Sequence, residues 1–105
     1  MSSLYHIIIY CPENCADAIR SAAANAGAGK IGNYDSCSFS SKGIGRFRPL
    51  EGSDPAIGTI EEIEEVAEER IEVVASEETI KNIITAITKV HPYEEPAIHV
   101  LPMAE

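Results

Sequence analysis

The sequence is short of several things, and each shortage removes a class of function. Basic residues are few: 8 Lys and Arg stand against 17 Asp and Glu, for a net charge of -9. A chain this acidic repels phosphate backbones and anionic lipid, which disfavours nucleic-acid binding and membrane docking. Cysteine is limited to Cys11, Cys15 and Cys37, an odd set with no CxxC spacing. The N-terminus has neither a basic region nor a long apolar one, so reduced thiols and a cytoplasmic location are expected. No apolar run approaches the ~18 residues of a membrane span. The phosphate-loop and dinucleotide glycine motifs are missing, and no nucleophile stands at motif spacing from a base, so no catalytic residue is expected. Internal repeats and linkers to a second domain are also lacking.

What remains is enough for one domain over residues 1–105, since 45% of the chain is hydrophobic and a core needs no disulfide or metal to support it. Residues 4 to 10, Leu-Tyr-His-Ile-Ile-Ile-Tyr, are aromatic and β-branched, as in a covered strand. Pro12 suits a first helical turn. Cys15, Ala18, Ile19, Ala22 and Ala26 then repeat at helical spacing until Gly27 and Gly29 end the pattern, which places Cys15 among buried residues. From Tyr34 to Phe47 the chain reads as a long strand, with Cys37, Phe39, Gly43, Gly45 and Phe47 on one side. Pro49 to Gly58 is a loop. Residues 61 to 75 read as an extended hairpin partner of the Tyr34 strand. Ser76 caps a second helix whose stripe is Ile80, Ile83, Ile84 and Ile87 and which stops before Pro92. Pro96 to Pro102 brackets a last short strand. The order strand, helix, strand, strand, helix, strand gives an α+β, ferredoxin-like sandwich: a four-stranded antiparallel sheet with both helices on one face.

Residues 61 to 78 carry nine Glu against Arg70 alone. A solvated face is the leading reading of this run, and an acidic surface for a protein partner is the alternative.

Gly29-Lys-Ile-Gly-Asn-Tyr-Asp-Ser-Cys-Ser-Phe39, Gly43-Ile-Gly-Arg-Phe-Arg-Pro49 and the ending His91-Pro92-Tyr93-Glu94-Glu95-Pro96 together resemble the insertion domain of YqfO-type proteins, and the likeness spans nearly the whole chain. The same ending is similar to that of CutA, the trimeric divalent-cation-tolerance protein, whose fold is shared by the signalling protein PII. The resemblance implies a stand-alone relative of the insertion, without the His-rich dinuclear-metal body of the larger GTP cyclohydrolase type two-like proteins. It implies the ferredoxin-like fold, a homo-oligomer, specifically a trimer, and a site for a small ligand or a divalent metal ion, copper or zinc. A dinuclear-metal hydrolase is the enzymatic alternative, and a structural or partner-docking module is the third.

The candidate ligand-binding residues are His91, Tyr93, Glu94 and Glu95, because imidazole, phenol and carboxylates converge there in a rigid turn. Tyr34 beyond its glycines and Arg46 on the strand join them. For a metal, the set is His91, Cys37 and Glu94. Each has a plainer reading. The two prolines of the turn bracket the end of a helix and the start of a strand, and His91 caps a helix carbonyl. Cys37 packs as a small hydrophobe. Arg46 and Arg48 pair across to the Glu-rich strand. The alternating Gly43 and Gly45 admit a close-lying backbone, that of a neighbouring subunit.

Overall fold

The computed structural model describes residues 3–104. Its elements are β1 (Leu4–Pro12), α1 (Ala16–Asn25), β2 (Phe39–Phe47), β3 (Glu64–Ser76), α2 (Ile80–Val90) and β4 (Ile98–Pro102), with short 3-10 turns at Glu13–Cys15 and Glu77–Thr79 leading into the two helices. The strands form one sheet in the order β2-β3-β1-β4, antiparallel throughout. This is the ferredoxin-like α+β arrangement expected from the pattern.

Side-chain alternation divides the sheet into two faces. Ile7, Ile9 and Cys11 on β1 and Ile71, Val73 and Ala75 on β3 point to one of them. There they are buried against Ala16, Ile19 and Ala23 of α1 and Ile83 and Ile87 of α2. Burying a side chain of this size contributes about 1.5–3 kcal/mol, so this layer is the main source of stability. The opposite face carries no helix. On it Ile8 and Phe39 both lie opposite Glu72, while Tyr10 and Ser41 lie opposite Arg70.

Helix α1 ends where Gly27, at φ +111°, reverses the chain, and the Ala28 N–H donates to Ala23 O at 3.0 Å. That pairing satisfies a terminal carbonyl in the manner of a Schellman cap. Helix α2 begins after Thr79, whose hydroxyl donates to Ser76 O at 2.9 Å. The expected cap from the Ser76 side chain to the backbone is not formed.

Several boundaries differ from the sequence reading. β2 starts at Phe39 rather than Tyr34, because residues 29–38 form a loop pinned by Cys37 N–H to Gly29 O (2.9 Å) and by paired bonds between Ile31 and Tyr34. Ser36 sits there at φ 58°, which no strand permits. Cys15 is only half-buried and Ala18 is exposed, since the 3-10 turn before α1 shifts the helical phase so that Ala16, Ile19 and Ala23 face inward. Phe39 is 66% exposed, because it points to the helix-free face.

Much of the Glu-rich run is solvated, with Glu61, Glu62, Glu65, Glu77 and Glu78 exposed, but its centre lies on β3 and is paired. Glu65 meets Arg46 at 2.7 Å, Glu69 meets Arg20 at 2.7 Å and Glu72 meets His6 at 3.0 Å. The 13 residues of β3 reach about 43 Å at strand rise, which accounts for the molecule's 46 Å long axis. Among the described residues no helix is long and apolar enough to cross a membrane.

Candidate functional site

The end of α2 sets the geometry. The His91 N–H closes the helix on Ile87 O at 2.9 Å, and the backbone then turns extended at φ -76°, ψ 133°. The proline that follows disfavours a helical conformation at His91. The His91 ring is buried, 7% exposed, with Nε2 at 2.8 Å from Tyr10 O and Nδ1 at 3.1 Å from the Tyr93 N–H. Nδ1 therefore accepts and Nε2 carries the proton that it donates to the Tyr10 carbonyl, which fixes the neutral tautomer. Both ring nitrogens are committed to backbone, and the bond crosses to β1 instead of capping the carbonyls of α2.

This anchoring delivers Tyr93 onto the helix-free face. Its ring packs edge-on to Phe47 with centroids 5.6 Å apart, and its hydroxyl donates to Glu68 Oε2 at 2.6 Å. Glu68 is 8% exposed, and it forms no ion pair among the described residues. Gly45 makes room for it: a Cβ at that position would overlap the Glu68 carboxylate. The close approach that Gly45 permits is thus by a side chain of the same chain. Burial pushes the Tyr93 phenol well above the usual tyrosine range, and the bond to the Glu68 carboxylate and its charge push it further. The Cys11 thiol, in the core behind, is pushed up to about 11, by burial first and then by Cys15, Glu69 and Glu68.

The second wall is the loop between β2 and β3. It is folded on itself by Glu61 N–H to Pro49 O at 2.6 Å and by Ser53, whose N–H and hydroxyl both reach Leu50 O. Its Asp54 N–H donates to Glu94 Oε1 at 3.0 Å, which ties it to the turn. Between loop, turn and sheet lies a groove of about 560 Å³, walled by Tyr10, Phe47, Leu50, Ile57 and Tyr93 with Glu68 among its lining. Arg46, Arg48, Glu94 and Glu95 also line it.

Of the expected ligand residues, Tyr93, Glu94, Glu95 and Arg46 thus share one groove. Arg46 does so while bound to Glu65, the cross-strand pairing expected of it. His91 lies behind the groove and shapes it. Tyr34 is 76% exposed in the loop before β2 and does not line the groove. The metal set is not brought together: Cys37 borders a separate depression beside Arg20 and Ala24, Glu94 holds Asp54, and both His91 nitrogens are occupied. Among the described residues no three His, Cys, Asp or Glu side chains gather as a metal would require.

Sequence reasoning missed Glu68, Gly45, Tyr10 and Phe47 as parts of one site. The signal for Glu68 was its parity: in an alternating strand Glu68 and Glu69 face opposite ways, so one of the two had to leave the Arg20 side.

The chain is similar to proteins named GTP cyclohydrolase 1 type 2 homolog. That of Halalkalibacterium halodurans is 44% identical over 102 residues, which is 97% of this chain but 27% of the relative. The chain spans about a quarter of the length of the curated relatives it matches. Among solved structures, a Bacillus cereus protein related to NIF3 superposes with a TM-score of 0.87 at 36% identity, covering 99% of this chain and 26% of that one. The periplasmic divalent cation tolerance protein CutA of Archaeoglobus fulgidus superposes with a TM-score of 0.71 at 19% identity, over 97% of this chain and 85% of that one, a likeness of fold. No family model matches the chain. The kinship read from the glycine segments and the His91–Pro96 ending is borne out.

Proposed function

This chain shares a family with one quarter-length segment of the GTP cyclohydrolase 1 type 2 homologs, and from that premise we propose that it is a non-catalytic module that binds a small ligand in the groove beneath the His91–Pro96 turn. The groove itself carries the reading. Its volume of about 560 Å³ lies within the range of small-molecule sites, and its apolar walls enclose a few fixed polar groups, as such sites do. The Tyr93 phenol, pushed upward, stays protonated at neutral pH and is a poor nucleophile or base.

The geometry favours an organic ligand over a bare divalent cation, since the donors that would hold copper or zinc are separated or already bonded. The relatives, named as homologs of a GTP cyclohydrolase, are about four times longer, and no cyclohydrolase step is assigned to this chain.

We further propose that the module works as a homo-oligomer, a trimer. β2 and β4 are both sheet edges, and Phe39 and Ile44 on β2 are exposed, so strand edge and apolar side chains are open to a second copy. Native mass spectrometry of the purified protein, with and without chelator, reads subunit number and retained ligand together. A trimer carrying a chelator-resistant small mass is the expected result. A strict monomer would overturn the assembly, and a chelator-labile metal would overturn the organic ligand.

A further inference from the structure

Glu68 is the anomaly of the groove. It is a carboxylate more than nine-tenths buried, yet among the described residues its one hydrogen-bond donor is the neutral hydroxyl of Tyr93, on Oε2. Among the described residues, three other carboxylates of β3 do have a cationic or imidazole partner: Glu65 has Arg46, Glu69 has Arg20 and Glu72 has His6. Arg70, on the same face of β3, leans over the Tyr10 ring and towards Glu72 instead. A buried carboxylate without a counter-charge is costly to keep, and such costs are retained where a ligand supplies the missing partner.

The surroundings define what that partner is. Gly45 leaves the carboxylate an open berth, and the rings of Tyr10, Phe47 and Tyr93 wall the same space. Aromatic faces and a desolvated carboxylate attract the same object, a nitrogen cation on a flat or apolar body. The lining residues include Glu68, Glu94 and Glu95 against Arg46 and Arg48, and the Arg46 side chain alternates to the other face of β2, where it pairs with Glu65.

The geometry points to a ligand class: the groove selects a small organic cation, an amidine or protonated amine on an aromatic or aliphatic scaffold, with Glu68 as its counter-ion. This rests on the reading of the groove as a ligand site and adds to it the charge of the ligand and the residue that reads it.

Benzamidine and its neutral isostere benzamide test the two layers separately by titration calorimetry. Benzamidine is expected to bind at least roughly tenfold more tightly than benzamide, as a charge-assisted bond in a desolvated site requires. In Glu68→Gln, which keeps an acceptor for Tyr93 but loses the charge, the ratio of the two affinities should fall towards one. That variant should melt at the same temperature as the wild type or higher, because a buried charge has been removed without its hydrogen bond. The wild-type ratio needs no variant to fold. Equal affinities, with both probes displaced by Phe47→Ala, would overturn the cation while leaving the groove. No binding of either probe would overturn both.

Discussion

The Tyr93 hydroxyl donates to Glu68 Oε2 at 2.6 Å, joining the turn after α2 to the middle of the sheet's exposed face. Tyr93→Phe removes the donor and leaves a buried carboxylate oxygen unpaired, which should cost about 1–3 kcal/mol in urea denaturation. Burial of the Tyr93 phenol, reinforced by this bond, makes stability fall at high pH. The phenol's folded pKa lies above its unfolded value, so the folded state holds a proton that the unfolded state releases. That contribution is complete below about pH 10 and is lost as pH rises beyond it. Absorbance titration should show one of the four tyrosines ionising only with unfolding.

Gly45→Ala places a methyl group where the Glu68 carboxylate lies. The carboxylate ends a flexible side chain and can swing aside, so the expected cost is the Tyr93 bond it would lose, about 0.5–1.5 kcal/mol. Shortening Glu68 to Ser in the same chain should recover part of it, and a double-mutant cycle would show the coupling. Additive effects would mean that the carboxylate does not occupy the glycine's berth.

The three cysteines should separate by reactivity. Cys11 is fully buried with its thiol pushed up to about 11, while Cys15 and Cys37 are half-buried. At pH 8 a disulfide reagent should therefore modify two thiols quickly and the third only in denaturant. Rapid modification of all three would contradict the packing of β1 against α1.

His91→Ala strips partners from the Tyr10 carbonyl and the Tyr93 N–H. A loss of about 1–3 kcal/mol is expected from two half-buried backbone groups left unpaired. Zinc should change the melting temperature of the wild type and of this variant alike. A zinc-dependent rise seen only in the wild type would restore His91 as a metal ligand.

The ferredoxin-like order was legible because its signals are local. The β-branched run at Ile7 to Ile9, the stripe through Ile83 and Ile87, and the turn residues between them each act within a few positions. The phase of α1 was not legible, since a three-residue 3-10 turn rotates the helix without leaving a mark in the hydrophobic spacing. Tyr34 looked like a strand residue because aromatic content was visible and the positive φ of Ser36 was not. The site was half visible. His91–Pro96 announced a constrained turn, but its destination depends on register. Glu68 meets Tyr93 across 25 positions of sequence, a separation over which composition carries no information.

The loop from Arg48 to Ile63 meets the turn through a single hydrogen bond among the described residues, from the Asp54 N–H to Glu94. An exposed bond of this kind is worth about 0.5–1.5 kcal/mol, so it breaks and re-forms many times before a larger rearrangement occurs. On the ligand reading proposed above, this bond is too weak to hold the groove shut, so association is expected to be fast with residence time set inside. Affinity differences among ligands will then appear as differences in how slowly they leave.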